Sequence, residues 1–142
     1  MSGNIINSFK GQYSFLSNFY PVQVEIEGIV YPSVEHAYVA MKTMDIELRK
    51  QISLMETAGK VKRMGRTLNI RSDWDHIKLP VMFGLLRLKF QKPELKLLLI
   101  STGDSHLEEG NWWGDTFWGV CKGVGENNLG KLLMRVRQEI IQ

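Results

Sequence analysis

The stretch "EEGNWWGDTFWGV", residues 108–120, surrounds one acid with aromatic rings and glycines. Trp113 and Trp118 flank Asp115, and the glycine after each tryptophan permits a sharp backbone turn. Aromatic faces stack on a flat base, while a carboxylate can stabilise positive charge that develops on a sugar or can orient a water. The rings could instead serve only the fold, but a core loop would rarely bury an unpaired aspartate. The segment therefore favours a ligand site.

A second acid stands near an amine in "PSVEHAYVAMKT", where Glu35 precedes Lys42. If a helix begins at Pro32 and Ser33, a step of about 100° per residue places both side chains along one edge of its apolar stripe. That core-facing stripe contains Val34, Ala37, Tyr38 and Met41. The axial separation of Glu35 and Lys42 is about 10 Å, which suits two groups that bracket a ligand. A solvated boundary strip is the alternative.

Four basic residues are concentrated in "KVKRMGR", namely Lys60, Lys62, Arg63 and Arg66. A cluster of this kind commonly forms a solvated helix face. Its functional alternative is an anchor for phosphate, because Lys and Arg offer charged donors to phosphate oxygens.

The run "GENNLGKL" nearly fits the G-x-x-x-x-G-K-[ST] loop that holds nucleotide phosphates. Leu132 stands where that loop needs a hydroxyl for magnesium. The run is therefore interpreted as a loop and a helix start, with Asn127 or Asn128 as N-cap, and a nucleoside triphosphatase is excluded.

The elements that must position these residues are mostly helices. Alternating Val22, Val24 and Ile26, followed by "EG" and "IVY", predict a short β-hairpin. Helices are predicted in "PSVEHAYVAMKTMD", "DIELRKQISLM", "ETAGKVKRMGRTL", "PELKLLLIST" and "NNLGKLLMRVRQEII". The aromatic segment is expected to be a loop or short strand. The predicted class is α+β, mainly helical.

Residues 74–90 are apolar nearly all round and predict a central, buried helix that begins at or near Pro80. Trp74 is expected to pack at a helix start, or else to line a pocket. His36 falls on the polar side of its helix and is expected to be exposed.

The composition is that of one ordinary globular domain of 142 residues, with 44% hydrophobic and 23% charged residues. No apolar run approaches the roughly 20 residues of a membrane span, and the first residues lack the pattern of a secretion signal. Cys121 is the one cysteine, which fits a reducing, cytoplasmic location. The scattered histidines predict no metal site. A net charge of +3 suits a phosphorylated ligand but is too small to indicate nucleic acid by itself.

Several segments together resemble the NADAR family, and especially its YbiA-like branch. They are "YSFLSNFYP", "YPSVEHAYVAMKT", "KRMGR", "EGNWWGDTFWGV" and "NNLGKLLMRVR", in the family's order and across nearly the whole chain. The resemblance implies a single, compact, mainly helical domain over residues 1–142. It also implies an N-glycosidase that needs no cofactor and no metal.

Within the family, YbiA-like members hydrolyse the N-glycosidic bond of early riboflavin-pathway intermediates. The resemblance therefore implies a phosphorylated ribosyl substrate such as 5-amino-6-(5-phosphoribosylamino)uracil, which yields ribose 5-phosphate and a pyrimidine. One alternative is a hydrolase that removes ADP-ribose from guanine in DNA. Another is a non-catalytic binder of ADP-ribose or an NAD-related nucleotide. No membrane partner is expected, and the sequence indicates no oligomeric state.

The resemblance also implies roles for individual residues. Glu35 matches the family's acid on the first helix, and Lys42 matches a lysine that attacks the ring-opened ribose and forms a Schiff base. The remaining matches are to site residues: Asp115, Trp113 and Trp118 of the aromatic block, Trp74 of the pocket, and Asn18 and Phe19 of a loop that closes over the ligand. Lys62 or Arg63 would hold the 5′-phosphate. The first helix and the aromatic loop are expected to line one cavity.

Overall fold

A computed structural model describes residues 4–142, which divide into two units. The central unit is Asn18–Lys89, and the terminal unit combines Phe90–Gln142 with the residues up to Ser17. Residues 1–3, the start of the segment analysed for a secretion signal, lie outside the described residues. The predicted class, a mainly helical α+β protein, is confirmed. The single domain over residues 1–142 stays a prediction.

The central unit begins with the predicted hairpin. Strand β2 (Val24–Ile26) pairs antiparallel with β3 (Ile29–Tyr31), and Val24 lies opposite Tyr31. The two turn residues, Glu27 and Gly28, both have positive φ, at 52° and 82°. This is the backbone that a tight hairpin turn requires, so the "EG" signal identified the turn correctly.

Three helices of the central unit begin on residues whose side chains accept backbone hydrogen bonds. Ser33 caps α1 (Val34–Ala40), Asp45 caps α2 (Ile46–Ser53) and Thr57 caps α3 (Ala58–Gly65). Helix α1 is buried over most of its surface and packs against α2 and α3. Gly65 makes the α3 contact possible, because a Cβ atom there would lie 3.2 Å from both methyl groups of Val39.

The fourth helix of the central unit, α4 (Trp74–Lys89), corrects two expectations. It begins at Trp74 instead of near Pro80, and Pro80 lies inside it. A proline there removes one helical hydrogen bond, but Pro80 and His76 are both exposed, so water can reach the freed carbonyl. The helix is also not buried all round, since Leu79 is 39% exposed. Its buried face includes Met82, Leu85 and Leu86.

The terminal unit combines two helices with very short strands. Strand β1 (Ile5–Ile6) pairs in parallel with β4 (His106–Leu107), and β5 (Gly110–Asn111) pairs in parallel with β6 (Val120–Cys121). The helices are α5 (Pro93–Ser101), with its proline at the first position, and α6 (Asn128–Ile141), and a 3₁₀ helix covers Gly11–Leu16. Along residues 4–142 no helix is long and apolar enough to cross a membrane.

His36 is buried, at 2% exposure, which contradicts the expected exposed position. Its Nε2 lies 3.0 Å from the carbonyl oxygen of Met55, and its Nδ1 lies 2.7 Å from the hydroxyl of Ser33. The neutral ring that donates from Nε2 to Met55 and accepts from Ser33 satisfies both contacts. The helical wheel failed here because the chain after α2 covers the polar side of α1 as well.

The burial of His36 predicts a pH-dependent stability. Desolvation lowers the pKa of His36 below its ordinary 6.5, so the unfolded chain binds the proton more readily than the folded protein. The contribution of neutral His36 to the free energy of unfolding is complete above about pH 6.5. It is lost as the pH falls through the pKa of His36 in the folded protein. The free energy of unfolding, measured with urea, should therefore fall between about pH 7.5 and 5.5 in wild type and in the exposed control His76→Gln. An equal decline in His36→Gln would contradict the assignment.

Candidate active-site residues

Lys42 lies in the turn that follows α1. Helix α1 ends at Ala40 with Met41 as its C-cap, so Lys42 lies just beyond the helix in which it was predicted. The backbone N–H of Lys42 donates to the carbonyl of Val39 at 3.1 Å, a tightened last turn. The axial estimate of about 10 Å from Glu35 assumed a continuous helix and therefore does not apply here.

The amine of Lys42 lies over the ring of Tyr38, which packs against the ring of Trp74. Its Nζ is 5.3 Å from the ring centroid of Tyr38, and that ring lies 5.1 Å from the ring of Trp74. Tyr38 and Trp74 are both buried, at 7% and 6% exposure. Trp74 therefore packs at the helix start as predicted. Nζ is also 3.8 Å from the position that a Cβ atom would take at Gly65.

Charged groups from three helices act on Lys42. Burial lowers the pKa of Lys42, the Glu35 carboxylate opposes that fall, and the ammonium groups of Lys78 and Lys62 assist it. A charge has such an influence only at short range. Glu35, Lys62 and Lys78 are therefore the charged groups that act on this amine, and α1, α3 and α4 contribute one each. Because like charges and burial both disfavour the ammonium form, Lys42 is the amine in this group suited to act as a nucleophile.

Lys78 was not among the predicted site residues. It lies one turn after Trp74 in α4, with 25% of its side chain exposed, and pairs with Asp75 at 3.5 Å. The signal was present in the sequence as the i,i+4 spacing of Trp74 and Lys78. Starting the helix near Pro80 placed Lys78 outside it and hid that spacing.

The basic cluster does not act as one surface. Lys62 is half-buried, and its Nζ lies 5.8 Å from the ring centroid of Phe19. Lys60 is exposed and pairs with Glu56 at 3.3 Å, which assigns it to the solvated face. Arg63 and Arg66 are exposed. Of the two predicted phosphate ligands, Lys62 lies beside Lys42, whereas the exposed Arg63 is on the neighbouring side of α3.

The predicted closing loop adjoins the start of α1. The carbonyl of Asn18 accepts from the backbone N–H of Glu35 at 3.0 Å, and Asn18 Nδ2 lies 3.6 Å from the sulfur of Met82. Asn18 Oδ1 is buried and has no hydrogen-bond partner among residues 4–142. Phe19 is 44% exposed. A buried acceptor without a partner costs free energy, so this oxygen is a natural place for a ligand donor.

In the terminal unit, Asp115 organises its own loop. Its Oδ1 accepts from the backbone N–H groups of Phe117 at 3.1 Å and Trp118 at 2.9 Å. The side chain of Asn111 accepts from the N–H of Asp115 at 3.0 Å and donates to its carbonyl at 2.9 Å. The carboxylate is thus a structural acceptor as well as a predicted catalytic charge, a role that the sequence reasoning missed.

The aromatic rings of the loop differ in exposure. Trp112 and Trp113 are 78% and 45% exposed and meet edge to face at 5.7 Å. The rings of Phe117 and Trp118 meet edge to face at 4.8 Å. The aromatic residues lie in the loop between β5 and β6, so of the expected loop or short strand the loop is observed. Gly119 is required at its end, because a Cβ atom there would overlap the carbonyl oxygen of Glu109.

The same loop caps α6. The carbonyls of Phe117 and Trp118 accept from the N–H groups of Asn128 at 3.2 Å and Leu129 at 2.9 Å. Asn127 occupies the N-cap position as predicted, but it has a left-handed backbone, with φ of 54°, and its side chain makes no cap. That side chain instead bonds the carbonyl of Leu107 and the N–H of Glu109. "GENNLGKL" is therefore a loop and a helix start.

The predicted residues fall into two groups. In the central unit, Glu35 and Lys62 act on the charge of Lys42, whose amine lies over Tyr38, and the Tyr38 ring packs on Trp74. Asn18 is bonded to the backbone of Glu35, and Phe19 lies beside Lys62. Asp115, Trp113 and Trp118 share one loop of the terminal unit. The single cavity expected to hold both groups stays a prediction.

The fold and the sequence together place the chain in a known class of protein. The NADAR domain model matches residues 7–141, and the chain belongs to the NADAR family. The chain is 35% identical to the N-glycosidase YbiA of Escherichia coli, over 99% of this chain and 91% of that protein. The solution structure of E. coli YbiA superposes with a TM-score of 0.86 at 34% identity, over 99% of this chain and 87% of that one.

A second relative is a riboflavin biosynthesis protein of Vibrio vulnificus, which is 39% identical over 90% of this chain. The chain spans 36% of the length of that protein. The N-glycosidase of Nostoc punctiforme is 36% identical, over 90% of this chain and 86% of that protein. The resemblance to the YbiA-like branch is therefore confirmed.

Proposed function

We propose that the protein hydrolyses the bond between ribose C1′ and nitrogen in a phosphorylated ribosylamino-pyrimidine such as 5-amino-6-(5-phosphoribosylamino)uracil. The class of enzyme is an N-glycosidase, as in the relatives that match over nearly their full length. The substrate is supported by relatives from Vibrio vulnificus and Zea mays that are named riboflavin biosynthesis proteins. The products would be ribose 5-phosphate and a pyrimidine.

The observation that carries the proposal is the setting of Lys42. A half-buried amine beside two other ammonium groups loses its proton more easily than a free lysine, and Glu35 is close enough to influence it. The neutral amine can attack C1′ of the ring-opened ribose. The bond from C1′ to the pyrimidine-bearing nitrogen then breaks, that nitrogen takes up a proton, and an imine joins Lys42 to the sugar.

Water completes the reaction. It adds to the imine carbon, the bond from C1′ to Lys42 breaks as the lysine nitrogen takes up a proton, and ribose 5-phosphate is released in its aldehyde form with the amine regenerated. Each half of the cycle moves a proton to or from nitrogen, and we assign that shuttle to Glu35. Asp115 would stabilise the positive charge that develops at the sugar, while Trp113, Trp118 and Trp74 would hold the base.

The remaining groups fit the polar parts of the proposed substrate. Asn18 Oδ1, a buried acceptor, would receive an N–H of the pyrimidine, and Phe19 would cover the ligand. Lys62 and Lys78 would bind the 5′-phosphate, because each is a half-buried ammonium beside Lys42. The exposed Arg63 becomes the less favoured phosphate ligand.

We expect Lys62→Ala and Lys78→Ala each to raise KM for the phosphorylated substrate by about tenfold to a hundredfold, since a hydrogen bond to a charged group contributes roughly 1.5–3 kcal/mol. KM for the same substrate without its phosphate should change little. Steady-state kinetics with both substrates measures this difference. Lys60→Ala, on the exposed side of α3, is the matched control. Equal losses on both substrates would contradict phosphate binding by these lysines.

The substrate is tested by parallel incubations of the pure protein with riboflavin-pathway intermediates and with ADP-ribosylated DNA oligonucleotides. Mass spectrometry of the products should detect ribose 5-phosphate and a pyrimidine in the first series. Release of ADP-ribose in the second series alone would replace the proposed substrate. Tight calorimetric binding of ADP-ribose without turnover in either series would replace catalysis with ligand binding.

A further inference from the structure

Four successive carbonyl groups, of residues 40–43, surround the attachment point of Lys42, and two arginines donate to all four. Arg49 Nε donates to the carbonyls of Ala40 at 3.2 Å and Thr43 at 2.9 Å. The Arg71 side chain reaches the carbonyl of Met41 at 3.5 Å, and its backbone N–H donates to that of Lys42 at 2.9 Å. These contacts hold the turn of residues 40–43 that follows α1, which we call the lysine turn.

Each arginine is in turn fixed by a carboxylate. Arg49 Nη1 lies 3.0 Å from Glu27 in the hairpin turn. Arg71 forms a two-bond fork with Asp73, through Nε at 2.6 Å and Nη2 at 3.0 Å. A bidentate fork holds the guanidinium plane in one orientation. The lysine turn is thereby tied to β-hairpin residues on one side and to the start of α4 on the other.

The burial of Arg49 shows how specific this arrangement is. Its side chain is 5% exposed, whereas that of its partner Glu27 is 67% exposed. An arginine is seldom buried unless its donors meet fixed acceptors, and here Nε is shared between the two ends of the lysine turn. An arginine that served only to form the ion pair with Glu27 would not need to donate to the carbonyls of both Ala40 and Thr43.

We infer that Arg49 and Arg71 are positioning residues for Lys42, which they serve by fixing the lysine turn so that the amine rests over Tyr38. The inference rests on the proposed role of Lys42 as nucleophile. A lysine side chain has four rotatable bonds, so a fixed backbone is needed to keep its amine on line with a reacting carbon. A displacement of about 1 Å can cost on the order of 10²-fold in rate.

Arg71→Ala is the principal test, because its side chain is 23% exposed and its removal leaves the backbone bond to Lys42 in place. We expect kcat to fall by about tenfold to a hundredfold with KM within about twofold of wild type. Arg71→Lys, which keeps the charge but not the fork, should recover only part of the loss. Lys50→Ala removes an exposed cation next to Arg49 and should match wild type.

A second measurement needs no substrate. The rate at which an acylating reagent modifies Lys42, followed by peptide mass spectrometry across pH, reports the pKa of its amine. Glu35 on α1, Lys62 on α3 and Lys78 on α4 are the charged groups that act on it, and all three remain in the variants. We expect the pH midpoint of Lys42 modification to rise in Arg71→Ala, because the Lys42 side chain is then less constrained and becomes better hydrated. Arg49→Lys, chosen to limit unfolding, should shift it the same way.

The two measurements separate the inference from the proposed function. If wild type turns over no tested substrate while the midpoint still rises in Arg71→Ala, the proposed function fails and the positioning role survives. If wild type is active and Arg71→Ala keeps both its kcat and its midpoint, the positioning role is wrong. A fall in kcat with an unchanged midpoint and a lower unfolding midpoint would also overturn it, since the arginine would then only stabilise the fold.

Discussion

Replacing Lys42 should abolish turnover: we expect kcat/KM to fall at least about 10³-fold in Lys42→Ala and about as far in Lys42→Arg. Alanine removes the nucleophile. Arginine keeps the positive charge but stays protonated at every accessible pH, so it cannot form an imine. Steady-state kinetics on the proposed substrate gives the ratio, and Lys50→Ala, which removes an exposed cation from α2, is the control.

The covalent step has its own signature. Borohydride added during turnover should fix the sugar to wild-type protein, and peptide mapping should locate the added mass at Lys42. Failure to trap wild type, together with substantial activity in Lys42→Ala, would remove Lys42 from its role.

The rate should also depend on pH with a definite sign. Because burial lowers the pKa of Lys42 below its ordinary 10.5, kcat/KM should rise with pH and level off below that value.

The sequence predicted the residue types of this site better than their arrangement. The periodic Val34, Ala37, Tyr38 and Met41 correctly identified the core face of α1. Where α1 ends was not predictable from that pattern, because the turn that follows it is bonded by Arg49 of the next helix and by Arg71, which is 30 residues from Met41. Tertiary hydrogen bonds of this kind leave no local periodicity to detect.

Other differences between the predicted and the observed elements have separate causes. His36 is covered by the carbonyl of Met55, which a single helical wheel cannot show. Prolines favour the first turn of a helix, so Pro80 predicts a helix start, but an exposed interior proline is tolerated in α4. Strands of two residues, such as β1 and β4, are too short for an alternating pattern to emerge.

The aromatic loop illustrates the same limit on the site itself. Its composition predicted a ligand site in which the Asp115 carboxylate stabilises charge among aromatic rings, and the family resemblance matched Asp115 to a site residue. The loop is held by the hydrogen bond from the Asp115 N–H to Asn111, and by the two hydrogen bonds that Asp115 Oδ1 accepts from backbone N–H groups. Residue types could not show that one carboxylate serves both shape and charge, so the two roles must be separated by experiment.

Asp115→Asn and Asp115→Ala should separate these roles. Asparagine keeps an oxygen that can accept from Phe117 and Trp118, so the free energy of unfolding should stay within about 1 kcal/mol of wild type. It removes the charge, however, and kcat/KM should fall by about 10²- to 10³-fold. Alanine loses both acceptors and should in addition lower the free energy of unfolding by about 1–3 kcal/mol.

Urea unfolding measures the free energy of unfolding, and steady-state kinetics measures kcat/KM, for wild type and for both Asp115 variants. Glu126→Gln, at an exposed acid in the neighbouring turn, is the control. The informative comparison is activity in Asp115→Asn, because loop shape is preserved there. Near-wild-type kcat/KM in that variant, with loss only in Asp115→Ala, would mean that the carboxylate acts through its acceptor oxygen alone. Asp115 would then be a positioning residue for the tryptophans, and the charge at the sugar would have to be stabilised by Glu35.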